Sequence, residues 1–397
     1  MRVVLEDGEV AELELSIYEP PRFFEALLQG RAFTEAPDIT ARICGICPVA
    51  YQMSAVLAME DACDVEVPEP IRQLRRLLYC GEWLQSHGLH VYMLHAPDFL
   101  GYTGVVDMAR DHADVVTRGL MIKKVGNELM RVVGGRAVHP VNVKVGGFYK
   151  APATNELLEL RGLLEQALAA SIATVAWTAD FDFPDLERDI ELVALKSSSE
   201  YPIDQGEIAS DRGLRIAASE YDEHFVEEQV ARSNALHSRR RNGSTYLTGP
   251  LARYALNAEH LSAAAQTAAA SAGLGVACRN PFQSIVVRSV EMVYACEEAL
   301  RIIDEYEPPD PPAIEVVPVA GTGHGTTEAP RGLLYHRYRI DDAGTIIDAK
   351  IVPPTSQNQR AIEADLHEVV GIYRDLDDKQ LGLRCEQTIR NYDPCIS

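Results

Sequence analysis

The chain has 397 residues, of which 47% are hydrophobic and 24% charged, with a formal net charge of −22. That length can bury a large core, and the acidic balance excludes nonspecific nucleic-acid binding, which needs a basic surface to displace counterions. No apolar run approaches the roughly 18 residues of a membrane span, and no signal-peptide pattern is visible. Eight dispersed cysteines fit a reducing cytoplasm and metal chemistry better than a disulfide framework.

Residues 1–17 alternate apolar and polar around Glu6-Asp7-Gly8, a hairpin signal, and Pro20-Pro21 ends that unit. Residues 22–30 predict a short helix stopped by Gly30, with Phe23, Phe24, Leu27 and Leu28 on its apolar side. After the pair Cys44 and Cys47, a helix is predicted directly over 48–62. A long helical pattern covers 71–95, led in by Pro68 and Pro70 and closed by Ala96-Pro97. Another covers 107–133 and ends at Gly134-Gly135. Val141, Val143 and Val145 alternate as a strand does. Leu157, Leu160, Leu164, Leu168 and Ile172 predict a helix over 156–177.

Residues 180–250 are the least regular part, with short strand-like runs and the basic turn Arg239-Arg240-Arg241. Helices follow near 255–272 and 284–306, and Pro308 to Pro312 reads as a stiff, linker-like segment. Then come a glycine-rich stretch at 321–325, strand-like runs at 333–340 and 345–352, and a final helix at 360–374. The expected fold class is α+β, predominantly helical, with small β elements near the start and before the C-terminal helices. Residues 1–397 are expected to form a single domain, because the cysteine-bearing segments 42–51 and 390–397 need each other.

Cys44-x-x-Cys47 places two thiols on one side of a tight turn made easy by Gly45. A third thiol, Cys395, lies in Asp393-Pro394-Cys395. Alone, the pair fits a structural zinc half-site or buried thiols as readily as a soft-metal site. A zinc ribbon, however, wants a second C-x-x-C, and none occurs. Cys63, Cys80, Cys278, Cys296 and Cys385 sit in apolar or helical surroundings and read as small core residues. His87 and His90, crowded by Trp83, Leu84, Leu89 and Tyr92, read as core histidines rather than ligands. Arg239 to Arg241 reads as a solvated turn, without the aromatic interleaving of a nucleic-acid surface.

Arg42-Ile43-Cys44-Gly45-Ile46-Cys47 together with Arg390-Asn391-Tyr392-Asp393-Pro394-Cys395 resembles the paired signatures of the large, catalytic subunit of nickel–iron hydrogenases. Further matching blocks follow in order. They are Phe24-Glu25-Ala26 with Gly30-Arg31, His95-Ala96-Pro97-Asp98, residues 134–147, Glu328-Ala329-Pro330-Arg331-Gly332, and Pro353-Pro354-Thr355-Ser356-Gln357-Asn358. The likeness is closest to the cytoplasmic, bidirectional, NAD(P)-linked branch.

The resemblance implies a nickel held by four thiolates, two of them bridging to an iron that carries carbonyl and cyanide ligands. Cys44 and Cys395 match terminal nickel ligands and Cys47 a bridging one; soft sulfur suits nickel. The family splits H2 heterolytically, H2 = 2H+ + 2e−, and the proton passes to a terminal sulfur, here Cys395. Arg331 matches the arginine over the open metal position, and Asp98 and Asp393 match the carboxylates that hold it. Pro330 and a hydroxyl from Thr355 or Ser356 match positions that contact the cofactor's diatomic ligands. Glu25 and the backbone carbonyl of Ile351 match ligands of a hard cation, Mg2+ or Fe2+.

Electrons would leave through an iron–sulfur small subunit, since three assigned thiols leave no clustered cysteines for a relay. Flavin and NAD(P)-binding subunits lie beyond it by resemblance, and maturation factors would assemble the centre. The family's second motif continues past Ser397 to a fourth cysteine and a histidine, its Arg-Ile-Glu-Gly stretch precedes the first hairpin, and Tyr51 stands where many members have histidine. The expectation is therefore a trimmed form of a working hydrogenase. The alternatives are a metal-site-deficient scaffold or binding subunit on the fold shared with a complex I core subunit, and a structural zinc protein.

Overall fold

The computed structural model describes residues 1–6, 9–17 and 22–395. The predicted turn at Asp7-Gly8, the break at Pro20-Pro21, and Ile396 and Ser397 lie outside them. A hairpin opens the chain, with β1 (Arg2–Glu6) antiparallel to β2 (Glu9–Glu14). α1 (Arg22–Leu28) leads through short helical turns over 33–40 into the cysteine turn, from which α2 (Pro48–Ala62) rises directly. Pro48 suits that start, because its missing amide is one the first turn leaves unpaired anyway.

α3 (Glu69–Leu89) is the central rod: every residue over 74–88 is buried. It continues as a π-helical turn, His90–His95, where the sequence predicts unbroken α-helix. Pro97 supplies the reason, since it donates no amide and its ring crowds the carbonyl four residues back, so the preceding turn widens. α4 (Ala113–Gly134) is separate from a short helix at Val105–Asp111, so the helix predicted over 107–133 breaks at His112. α5 (Arg161–Ala179), α6 (Pro250–Asn257) and α7 (Ser284–Asp304) follow. α3 packs between α4 and α7, and α7 also packs on α5.

Residues 180–250 are more regular than predicted. Within them β3 (Glu191–Lys196) joins a four-stranded sheet in the order Tyr246–Leu247, β3, Glu207–Ser210, Arg215–Ile216. Arg239 and Arg240 are not simply solvated: they lie on a hairpin strand and pair with Glu228 and Glu191. β4 (Gly321–Ala329), β5 (Gly332–Ile340) and β6 (Ile346–Val352) form an antiparallel meander. α2 lies on β4, and glycine is what permits it: a Cβ on Gly323 would stand 1.9 Å from the Ala58 carbonyl oxygen. The Pro308 segment is no linker, because Phe148 N donates to Pro312 O and Ile314 N to Gly146 O, fastening it to the body.

The final predicted helix begins six residues earlier, as α8 (Pro354–Ile372), and α9 (Asp378–Arg390) follows it unpredicted. Asp377 caps α9 by accepting from Gln380 N at 2.8 Å. One hydrophobic cluster runs from Leu15 to Tyr392 and includes both Cys44 and Cys47. His87 and His90 are buried in the interior, as the sequence predicts, and so is His95. Among the described residues no helix is long and apolar enough to cross a membrane.

Candidate metal centre

The turn before α2 folds onto its own first sulfur. The amides of Ile46 and Cys47 point at Cys44 Sγ from 3.3 and 3.4 Å, and such donors favour a sulfur carrying negative charge. Cys395 arrives from the other end of the chain and sets its Sγ 3.0 Å from that of Cys44. All three sulfurs lie within 4.8 Å of one another. Among the described residues this is the one cluster of three or more Cys, His, Asp or Glu ligand atoms. The other five cysteines are buried elsewhere as core residues, as expected.

Crowding decides the protonation of these thiols. The neighbouring Cys395 thiol, with burial, pushes Cys44 up to about 12, and Cys395, Cys44 and burial hold Cys47 well above the ordinary thiol range. Three adjacent thiolates, two of them buried, repel one another, so a cation of higher charge than one guanidinium favours their ionising together. A soft divalent metal meets that condition, and binding it expels the protons.

The tail is pinned residue by residue. His90 Nε2 meets Arg390 O at 2.7 Å, Ser284 Oγ donates to Asn391 O at 2.8 Å, and Tyr392 OH donates to Asp365 Oδ2 at 2.5 Å. Asp393 adopts a left-handed backbone, φ 51°, which costs energy for a residue with a side chain. Arg331 secures it twice: Nε donates to the Asp393 carbonyl at 2.6 Å, and Nη2 meets Oδ2 at 3.0 Å. The Cys395 amide then donates to Thr355 Oγ1 at 3.0 Å. Burial works against the Arg331 charge, but Asp393 and the three sulfurs outweigh it, and the guanidinium is held more firmly protonated than usual.

Of the sequence-predicted residues, Cys44, Cys47, Cys395, Arg331, Asp393 and Thr355 come together here. Asp98 does not hold Arg331. Its Oδ1 takes Nη1 of Arg390, the last residue of α9, at 2.8 Å. Ser356 faces its own helix start, donating to Pro353 O at 3.0 Å. The Pro330 carbonyl accepts from Arg253 at 3.0 Å and Arg288 at 3.3 Å. Glu25 is buried near β6, where its Oε1 accepts the Ile351 amide at 2.9 Å.

Three groups were not anticipated. Arg288 Nη1 lies 3.7 Å from Asp393 Oδ2, making a second buried guanidinium on that carboxylate. Behind it, Glu291 joins His87 Nε2 at 2.9 Å to Arg253 at 2.7 Å, and Arg253 reaches Glu328 at 3.0 Å. Glu82 and Gln85 on α3 bond to the backbone around Cys47. Charged residues within the apolar helical pattern at 71–95 were a signal for Glu82; nothing in the sequence pairs Arg253 with Glu291.

Together, fold and site define a helical protein that closes its two ends around a buried cluster of soft-metal ligands beside a fixed guanidinium. Residues 22–121 match the family model described as nickel-dependent hydrogenase. The sulfhydrogenase 2 subunit alpha of Pyrococcus furiosus is 32% identical over all of this chain and 94% of its own length. The NAD-reducing hydrogenase HoxS subunit beta of Cupriavidus necator is 27% identical, over 99% of this chain and 89% of its own. A crystal structure of an NAD+-reducing [NiFe]-hydrogenase in the H2-reduced state shares the fold, with TM-score 0.88 and 24% identity over 98% of this chain and 93% of that one. The chain belongs to the nickel-dependent hydrogenase family, oxidoreductases acting on H2, as a large subunit of the nickel–iron type.

Proposed function

We propose that this single-domain chain is the catalytic subunit of a cytoplasmic, NAD(P)-linked hydrogenase, with Cys44, Cys47 and Cys395 as metal ligands. The convergence of those three sulfurs, within 4.8 Å and from both ends of the chain, carries the reading. The nickel–iron centre, with its carbonyl and cyanide ligands, supplies the Lewis-acid and redox chemistry when bound. Cys44 and Cys47 would hold it from the turn that leads into α2. Cys395, the most exposed of the three, takes the proton released on cleavage. Arg331 offers a fixed positive charge and planar donors where charge develops, and Asp393 orients it. Thr355 fixes the Cys395 backbone and so the direction of its sulfur.

The same reading gives Glu25 and the Ile351 carbonyl to a Mg2+ or Fe2+ ion. Two protein oxygens are few for a hard cation, and no step above depends on it. Electrons pass to an iron–sulfur small subunit and onward to flavin and NAD(P)-binding subunits, and maturation factors assemble the centre. The relatives' names, subunits of sulfhydrogenase and of NAD-reducing hydrogenase, support that assembly. A scaffold that had lost its metal has no need of three convergent sulfurs.

Cys395→Ser in the native complex is expected to reduce nickel per large subunit to about a tenth or less, by elemental analysis. Full nickel content in that variant, or zinc in place of nickel in the unaltered protein, overturns the assignment.

A further inference from the structure

One turn of α3 grips the cysteine turn from outside. Glu82 and Gln85 are three residues apart and Ser86 four from Glu82, so the three share a face of the helix. All are buried. Glu82 Oε2 accepts the Val49 amide at 2.6 Å and Oε1 the Ala50 amide at 3.1 Å. Gln85 Nε2 donates to the Ile46 carbonyl, and its Oε1 accepts from Lys123 Nζ at 3.4 Å, which fixes the orientation of the carboxamide. Ser86 Oγ accepts from Arg331 Nη1 at 3.4 Å. A single rigid face therefore touches the backbone on both sides of Cys47 and the arginine beside the sulfurs.

We infer that Glu82 and Gln85 are positioning residues for the metal centre, setting the direction of the Cys47 sulfur from outside the ligand set. This rests on the metal-ligand reading proposed above. Inside the turn, the amides of Ile46 and Cys47 are spent on Cys44 Sγ, which ties the loop to itself but not to the rest of the protein. The exit of the turn is anchored where the first amides of α2 meet a partner. Those amides lack intrahelical acceptors, and a buried carboxylate with both oxygens engaged satisfies two at once. Metal–thiolate bonds are short, about 2.3 Å for a divalent ion such as zinc, so a small rotation of Cys47 takes its sulfur out of reach.

Glu82→Gln keeps the shape and one acceptor but turns an amide donor toward an amide donor. Gln85→Met keeps the length and removes the grip on Ile46. In the assembled complex, each variant is expected to lose nickel to a chelator about 10- to 100-fold faster than the unaltered protein. The nickel X-ray absorption should show a broadened nickel–sulfur shell, and kcat should fall with KM for H2 unchanged. A purely structural cap would instead lower the unfolding temperature and leave the sulfur shell of the folded protein intact. Nickel release and sulfur shell matching the unaltered complex in both variants refute the inference. Should Glu82→Gln fail to assemble, Gln85→Met decides alone, since it frees the Ile46 carbonyl and the half-buried Lys123 ammonium but leaves Glu82 on the two α2 amides. Absence of nickel from the unaltered complex would count against the proposed function instead, so the two failures are distinct.

Discussion

Arg331 does two jobs that one lysine cannot share. Its Nε and Nη2 hold the carbonyl and the carboxylate of a strained Asp393 together, and its charge stands beside the three sulfurs. Lysine offers a point charge on a flexible stem and no fork. Arg331→Lys is expected to retain nickel while kcat falls by about 10²- to 10³-fold, the loss typical of removing one fixed donor from a site of developing charge. H2 uptake normalised to nickel content checks it, and undiminished turnover removes Arg331 from the mechanism. Asp98 separates the sequence expectation from the structure. Because it pairs with Arg390, Asp98→Ala should cost stability of about 1.5–3 kcal/mol, the worth of a hydrogen bond to a charged partner, and leave turnover per nickel within a few-fold. The sulfurs were legible in the sequence because metal chemistry dictates residue type and spacing. The partner of Asp98 was not, since two arginines compete for it and only the path of the tail decides.

At the scale of elements, legibility followed local signals. α2 was predicted to its ends because Pro48 starts it and the apolar run sustains it. The π-turn at His90–His95 was hidden, since its cause, Pro97, reads in sequence only as a stop. α9 was missed because Gly382 and scattered polar residues blur its period, and its stability comes from packing on α8. The start of β4 read only as a glycine-rich stretch because strand propensity measures side-chain packing, and here the backbone itself packs. Gly323 and Gly325 are the contact points: a Cβ on Gly325 would stand 2.2 Å from the Ser54 carbonyl oxygen. Neither obstacle is a movable side-chain tip; both are backbone of the helix that follows the metal turn. Gly323→Ala is therefore expected to destabilise by about 3 kcal/mol or more, at the upper end of overpacking costs, and to lower nickel occupancy through displacement of α2. Denaturant unfolding measures the first effect. A variant as stable as the parent would show that α2 and β4 do not meet as described.

For the whole molecule, the defining feature is that distant ends of one chain share a cluster. Cys44 and Cys395 are 351 residues apart in sequence. A metal bridging them binds the folded chain and not the unfolded one, so it stabilises the closed form by its own binding free energy. The tail is already tethered by Arg331, Thr355, Ser284 and His90, so the metal adds to an existing closure rather than creating it. With unfolding entropy near 2.1 cal/mol/K per residue, each 1 kcal/mol of metal binding raises the unfolding midpoint by about 1 °C. Calorimetry of the complex with and without nickel should show a higher midpoint with nickel. Cys395→Ser should abolish the nickel-dependent rise while keeping the metal-free midpoint, because it removes the link but not the tethers. A midpoint indifferent to nickel in the unaltered protein would mean that the metal does not join the two ends, and the closure would then belong to the hydrogen bonds alone.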